Sequence, residues 1–283
     1  MEELCLTVFK GKGDTACGIF LSQLKSFIKR YVGKNRFLFT LNQDLFLERL
    51  FYPELAGHGY GIHQPYMENC LHNRNRGFSN PVFESSYKEL KQFDGWGNNY
   101  MLSEIELIEK EKKENIYEMM KNSRTLLYFK LHGSIGWEYS SQEKNKAPLV
   151  MGRNKKEQIE KEPLFKKYFE IFKESLATKK SDILIIGYSF SDKHINELLV
   201  NAIGEHGLRI HIINPQPINE FKACLEERVG KTHKIWAQNI YDNIYGYHEV
   251  TLKDIFSPDA SLKGEKSFFF RQLEKGFFSE AIV

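Results

Sequence analysis

Asp182-Ile183-Leu184-Ile185-Ile186-Gly187-Tyr188-Ser189-Phe190-Ser191-Asp192 opens the stretch that decides the fold, and Leu208-Arg209-Ile210-His211-Ile212-Ile213-Asn214 closes it. Each end is a short apolar run of the kind that forms a strand covered on both faces. Between them, Asp192 to His206 spaces its apolar residues at three and four, the period of a helix. Strand, helix, strand with so short a crossover is a βαβ unit, which demands a parallel pair joined by a right-handed connection. In open sheets of this kind ligands bind beyond the carboxyl ends of the strands. The polar turns Gly187-Tyr188-Ser189 and Asn214-Pro215 stand at two such ends.

Upstream, the pattern repeats. Ile19, Phe20, Leu24, Phe27, Ile28 and Tyr31 recur at helical spacing. The run Phe37-Leu38-Phe39-Thr40-Leu41 then predicts a buried strand, the polar turn Asn42-Gln43-Asp44 ends it, and helical spacing resumes to Tyr52. Leu126 to Leu131 predicts another buried strand, which runs into His132-Gly133-Ser134. Pro163 to Thr178 reads as an amphipathic helix, preceded by a lysine- and glutamate-rich loop and helix start from Lys144 to Glu162. Pro53 to Asn99 is rich in Gly, His, Asn, Tyr and Pro without sustained periodicity and predicts an irregular insertion; Leu102 to Lys121 predicts a charged helix. The expected architecture is α/β: a Rossmann-like, mostly parallel sheet flanked by helices. One domain over residues 1–283 is expected, with an irregular and helical insertion over 53–122 and a helical, aromatic tail over 252–283.

Composition bounds the function. The chain has 283 residues, 41% of them hydrophobic, enough for a large core. Forty Lys and Arg nearly cancel 37 Asp and Glu, so no electrostatic case exists for a nucleic-acid or membrane-surface partner. No apolar stretch approaches the ~20 residues of a membrane-spanning helix, and Met1 to Lys10 is too short and acidic for a secretory signal, so a cytoplasmic protein is expected. Cys5, Cys17, Cys70 and Cys224 lie far apart, with no close pair to begin a zinc site, and read as free thiols. No metal is expected.

Taken singly, the polar turns have ordinary readings. Asn42 and Asp44 precede a helix, where Asn and Asp serve as caps. His132 fits a core histidine bonded to a backbone carbonyl, and Gly187 fits plain turn chemistry. Taken together they supply an amide, a carboxylate, an imidazole and a glycine-serine loop, a set suited to a ribosyl ligand. Gly187 permits close backbone approach, Ser189 offers a hydroxyl, and the helix that begins near Asp192 favours an anion.

These residues also carry a family resemblance. Asn42-Gln43-Asp44 resembles the sirtuin motif whose Asn and Asp close the nicotinamide pocket. Lys130-Leu131-His132-Gly133-Ser134-Ile135-Gly136-Trp137 is similar to the Leu-His-Gly catalytic segment. Ile185 to Asp192 resembles the Gly-x-Ser loop in the form found in sirtuin-like NADases of bacterial antiphage defence, and Ile212-Ile213-Asn214 resembles the last nucleotide-contacting strand end. Gly11-Lys12-Gly13-Asp14-Thr15 faintly resembles the family's Gly-Ala-Gly-x-Ser phosphate loop and lies closer to Asn42 than the family places it. No pair of cysteines lies between His132 and Gly187, so the zinc module of the deacylases is missing.

The resemblance implies an NAD+ glycohydrolase that releases nicotinamide and ADP-ribose as the effector of an abortive-infection system. In it Asn42, Asp44 and His132 are catalytic, and Gly187, Ser189, Asn214, Gly11 and Gly13 bind NAD+. It further implies activation by a protein partner in a hetero-oligomer, such as a nucleotide-sensing enzyme, an ATPase or an Argonaute-like protein; a homo-oligomer is a second possibility. The alternatives are a non-catalytic sensor or scaffold for NAD+ or ADP-ribose, and an NAD-dependent deacylase or ADP-ribosyltransferase.

Overall fold

The computed structural model describes residues 20, 23–24, 26–28, 37–44, 47, 61–63, 67–69, 100–102, 125–134, 137–139, 149–256 and 266–275. The chain forms two compact units, Met1–Glu170 and Ile171–Val283.

In the first unit β1 (Phe37–Thr40), β2 (Gly61–His63) and β5 (Thr125–Lys130) form a parallel sheet in the order β1-β5-β2. A second sheet is built from β3 (Met67–Asn69), β4 (Tyr100–Leu102) and β6 (Trp137–Tyr139), with β4 central, antiparallel to β3 and parallel to β6. Leu127, Tyr128 and Phe129 of β5 are fully buried, consistent with a strand flanked on both edges. Phe39 stacks on Phe129 with centroids 5.1 Å apart, and Tyr168 meets the other side of the cluster edge-on at 4.9 Å. Such offset and T-shaped contacts suit the aromatic quadrupole. Tyr168 belongs to α2 (Pro163–Leu176), which follows the short α1 (Lys155–Lys161). Proline fits the first turn of a helix, where its missing N–H has no partner to lose. Leu164, Phe165, Tyr168, Ile171 and Phe172 then make one buried stripe, as their spacing predicts.

The predicted helix upstream of β1 is present in its described residues, with Phe20, Leu24, Phe27 and Ile28 buried. Pro53 to Asn99, read as irregular, contains β2 and β3, and Leu102, read as a helix start, closes β4. Three-residue strands are too short to show an alternating pattern; pairing of β2 with β5 and of β4 with β3 and β6, not local propensity, makes them strands. The helix expected up to Lys121 lies outside the described residues.

The second unit is a parallel sheet of β7 (Asp182–Ile186), β8 (Arg209–Asn214) and β9 (Ile244–Glu249), in that order. The expected βαβ unit is present: α3 (Lys193–His206) connects β7 to β8. It buries Ile195, Leu199, Val200, Ala202 and Ile203. Gly207 ends it in the left-handed conformation at φ 71°, its N–H on Ile203 O and that of Leu208 on Ala202 O, so the last carbonyls are satisfied. A second crossover follows from α4 (Ile218–Leu225) through a π-helical turn (Glu226–Gly230) to α5 (Lys231–Asp242). Then α6 (Leu252–Ile255), opened by a Thr251/Asp254 capping box, packs with α7 (Phe268–Lys275). The aromatic tail is divided: Phe270 and Leu273 are buried, with Phe270 edge-on to Phe256, whereas Phe268 and Phe269 are 60% and 40% exposed.

Candidate functional site

Parallel register sets the first cluster. Phe37 to Thr40 pair with Leu127 to Lys130, and the N–H of Leu131 donates to Thr40 O at 2.9 Å. Asn42 and His132 each stand two residues beyond the paired end, so both turns leave the sheet at its carboxyl edge. His132 is 4% exposed, while Asn42 is exposed and Asp44 half-buried.

One side chain ties these turns together. The Gln43 amide donates through Nε2 to His132 O at 3.2 Å and to Val150 O at 3.0 Å. Ser134 Oγ donates back to Gln43 O at 3.4 Å, and the ammonium of buried Lys130 donates to Asp44 O. His132 O also accepts from Val150 N at 3.0 Å, and Gly133 takes the positive φ of 80° that turns the chain below it. Met151 is bonded in turn to Gln158 of α1, whose amide accepts from Met151 N and donates to Met151 O. Asn42 itself has a local tie only, among the described residues: its N–H donates to Thr40 Oγ1 at 3.0 Å.

In the second unit, Gly187 and Asn214 are brought together at the carboxyl edge of β7 and β8, where Gly187 N–H donates to Ile213 O at 3.4 Å. Gly187 adopts φ 64°, and a Cβ placed there meets nothing within 4 Å. The position therefore needs glycine for its backbone conformation and not for lack of space. Ser189 is exposed, its hydroxyl on Ser191 Oγ at 3.0 Å. Asn214 Oδ1 accepts from Gln216 N at 2.9 Å and so shapes its own turn.

Three residues that support this loop were not singled out from the sequence. Asn196, buried on α3, donates to Phe190 O at 2.8 Å and accepts from the Tyr188 hydroxyl at 2.9 Å. Those bonds hold Phe190 at its positive φ of 57°. Burial pushes the Tyr188 phenol well above its ordinary value, with Asp192 adding to the effect, so it acts as a neutral donor. Arg228, in the π-helical turn, donates to Ser189 O at 2.8 Å. Only the position of Asn196 on the buried face of α3 had a sequence signal; the π turn had none. Gly11 and Gly13 lie outside the described residues.

A family model described as a SIR2-like domain matches residues 36–230, more than half of the chain. The chain belongs to the SIR2-like family. No curated protein matches it. SIR2-like domains use NAD+, and the α/β architecture with parallel strands flanked by helices agrees with this family. The match begins at the edge of β1 and covers Asn42, Asp44, His132, Gly187, Ser189 and Asn214; Gly11 and Gly13 precede it. Among the described residues no helix is long and apolar enough to cross a membrane.

Proposed function

We propose that this SIR2-like protein is an NAD+ glycohydrolase. The observation that carries the reading is that a buried imidazole, His132, and an exposed amide, Asn42, leave adjacent paired strands at equivalent positions, with their turns hydrogen-bonded to each other. Water adds through its oxygen to C1′ of the nicotinamide ribose as the N-glycosidic bond breaks. Nicotinamide leaves with the bonding electron pair, and the water proton passes to His132 as general base. Asn42 orients the water or the ribose, and Asp44 supports the nicotinamide end. Gly187, Ser189 and Asn214 hold the rest of the nucleotide. The family match runs through the division at Glu170 and ends at Gly230.

Hydrolysis is favoured over deacylation by the cysteines: none lies between His132 and Gly187 to build the zinc module. The wider role follows the resemblance of Ile185 to Asp192 to defence NADases. In that role the protein is a cytoplasmic antiphage effector, held inactive until a nucleotide-sensing, ATPase or Argonaute-like partner joins it. Nicotinamide release from NAD+, measured for the complex isolated from its host with the wild-type chain and with His132→Ala, tests the activity: release abolished by the substitution supports it, and release unaffected by it refutes the assignment.

A further inference from the structure

We infer that Gln43 is a positioning residue, whose side-chain amide fastens the turn carrying Asn42 and Asp44 to the buried segment carrying His132. The inference rests on the glycohydrolase reading for its catalytic consequence, and on geometry alone for the clamp.

A carboxamide has two N–H donors, and Gln43 spends both on carbonyl oxygens, those of His132 and Val150. The orientation of the amide follows from its partners, because the opposite one would set its oxygen against two acceptors. The contacts span 89 and 107 residues of sequence, so no local backbone preference creates them. Ser134 and Lys130 close the arrangement from the other side, through Gln43 O and Asp44 O. Backbone atoms of two consecutive turn residues are thereby held by β5 and the segment after it. The Asn42 side chain, by contrast, has no hydrogen-bond partner among the described residues. Its placement is inherited from the backbone that Gln43 fixes. Val150 and His132 are both buried, so a residue without donors at position 43 would take from the Val150 carbonyl its Gln43 partner where water has little access and leave His132 O with the Val150 N–H alone. The turn would then shift relative to His132. A misplacement of ~1 Å in a reacting constellation can cost ~10²-fold in rate.

The test compares Gln43→Met, which keeps length but has no donors, with Gln43→Glu, which keeps shape but sets a carboxylate against two carbonyls. Two readouts are taken: kcat and KM for NAD+ of the complex isolated from its host, and the imidazole Cε1–Hε1 resonance of His132 in the substrate-free chain. The clamp predicts a displaced His132 resonance in both variants, with kcat lower by about tenfold or more and KM changed by less than about threefold. A His132 resonance at its wild-type position in either folded variant overturns the proposal. So does a variant that melts earlier yet keeps wild-type kcat, as a merely structural residue would. Should neither variant fold, Ser134→Ala removes the return bond alone, and an unmoved His132 resonance there counts against the clamp. If the wild-type complex isolated from its host releases no nicotinamide, the functional reading fails, while the resonance still decides the clamp.

Discussion

Thr40 and Lys130 are partners in parallel register, and that pairing places Asn42 and His132 at the same edge of the sheet. The two residues differ in burial, so their substitutions are expected to differ in stability and agree in activity. Asn42→Ala changes an exposed side chain and should alter stability by less than about 0.5 kcal/mol. His132→Ala empties a buried position and should cost about 1–3 kcal/mol. Both should lower nicotinamide release, by ~10²–10⁴-fold for the general base. Thermal melts run beside the assay check this; an Asn42→Ala protein with wild-type turnover contradicts the assignment.

Asn196→Ala should destabilise the protein by about 1–3 kcal/mol, because it strands the Phe190 carbonyl in a buried place and leaves the Tyr188 hydroxyl with Asp192 O alone of its two acceptors. The loop from Gly187 to Asp192 would lose its support, so KM for NAD+ should rise more than kcat falls. Denaturant titration and steady-state kinetics together measure both effects. An unchanged KM in the folded variant would separate this loop from the nucleotide.

Much of this was legible in the sequence, for physical reasons that also mark the boundary. Strands β5 and β8 are covered strongly enough that their apolar runs announce them, β7 shows the same run although only Ile185 in it is buried, and α3 carries its period of 3.6 in plain view. Strand β9 does not: Ile-Tyr-Gly-Tyr-His-Glu has neither alternation nor an apolar run. Its Gly246 is required by packing, since a Cβ there would stand 2.8 Å from His211 Nδ1. No reading of six residues reveals a neighbour 35 positions upstream in the chain. The same holds for the site. The candidates Asn42, Asp44 and His132 could be singled out as polar residues after apolar runs, whereas Gln43 and Arg228 act through contacts that only the folded chain creates.

His248 predicts a pH dependence. Burial lowers its pKa below the ordinary 6.5, and His211 nearby lowers it further. A histidine depressed in the folded state binds its proton more readily when unfolded, so the unfolded chain carries more protons in that window. Its contribution to stability is therefore full above about 6.5 and is lost as pH falls below that value toward the folded pKa. His248→Gln should flatten that part of a stability profile recorded from pH 7.5 to 5. A variant whose profile is as steep as wild type would show that other groups govern the slope.

Partner control makes a prediction about the tail. Phe270 and Leu273 are buried, and the Ser267 hydroxyl donates to Ile255 O at 2.6 Å, so deleting α7 would disturb the fold as well as any surface. The exposed pair Phe268 and Phe269 is the cleaner target. The double substitution Phe268→Ser, Phe269→Ser should leave the melting temperature within a few degrees and weaken assembly with the activating partner. Co-purification from the native host reads this out, and undiminished assembly would remove the tail from the interface.

The central claim is that this SIR2-like protein hydrolyses NAD+, and nicotinamide release tests it most directly, assayed for the purified chain and for the complex isolated from its host. The expected result is little release by the chain alone, release with matching ADP-ribose by the complex, and loss of both in a His132→Ala complex. A wild-type complex that binds NAD+ without releasing nicotinamide, or a His132→Ala complex as active as wild type, would contradict it.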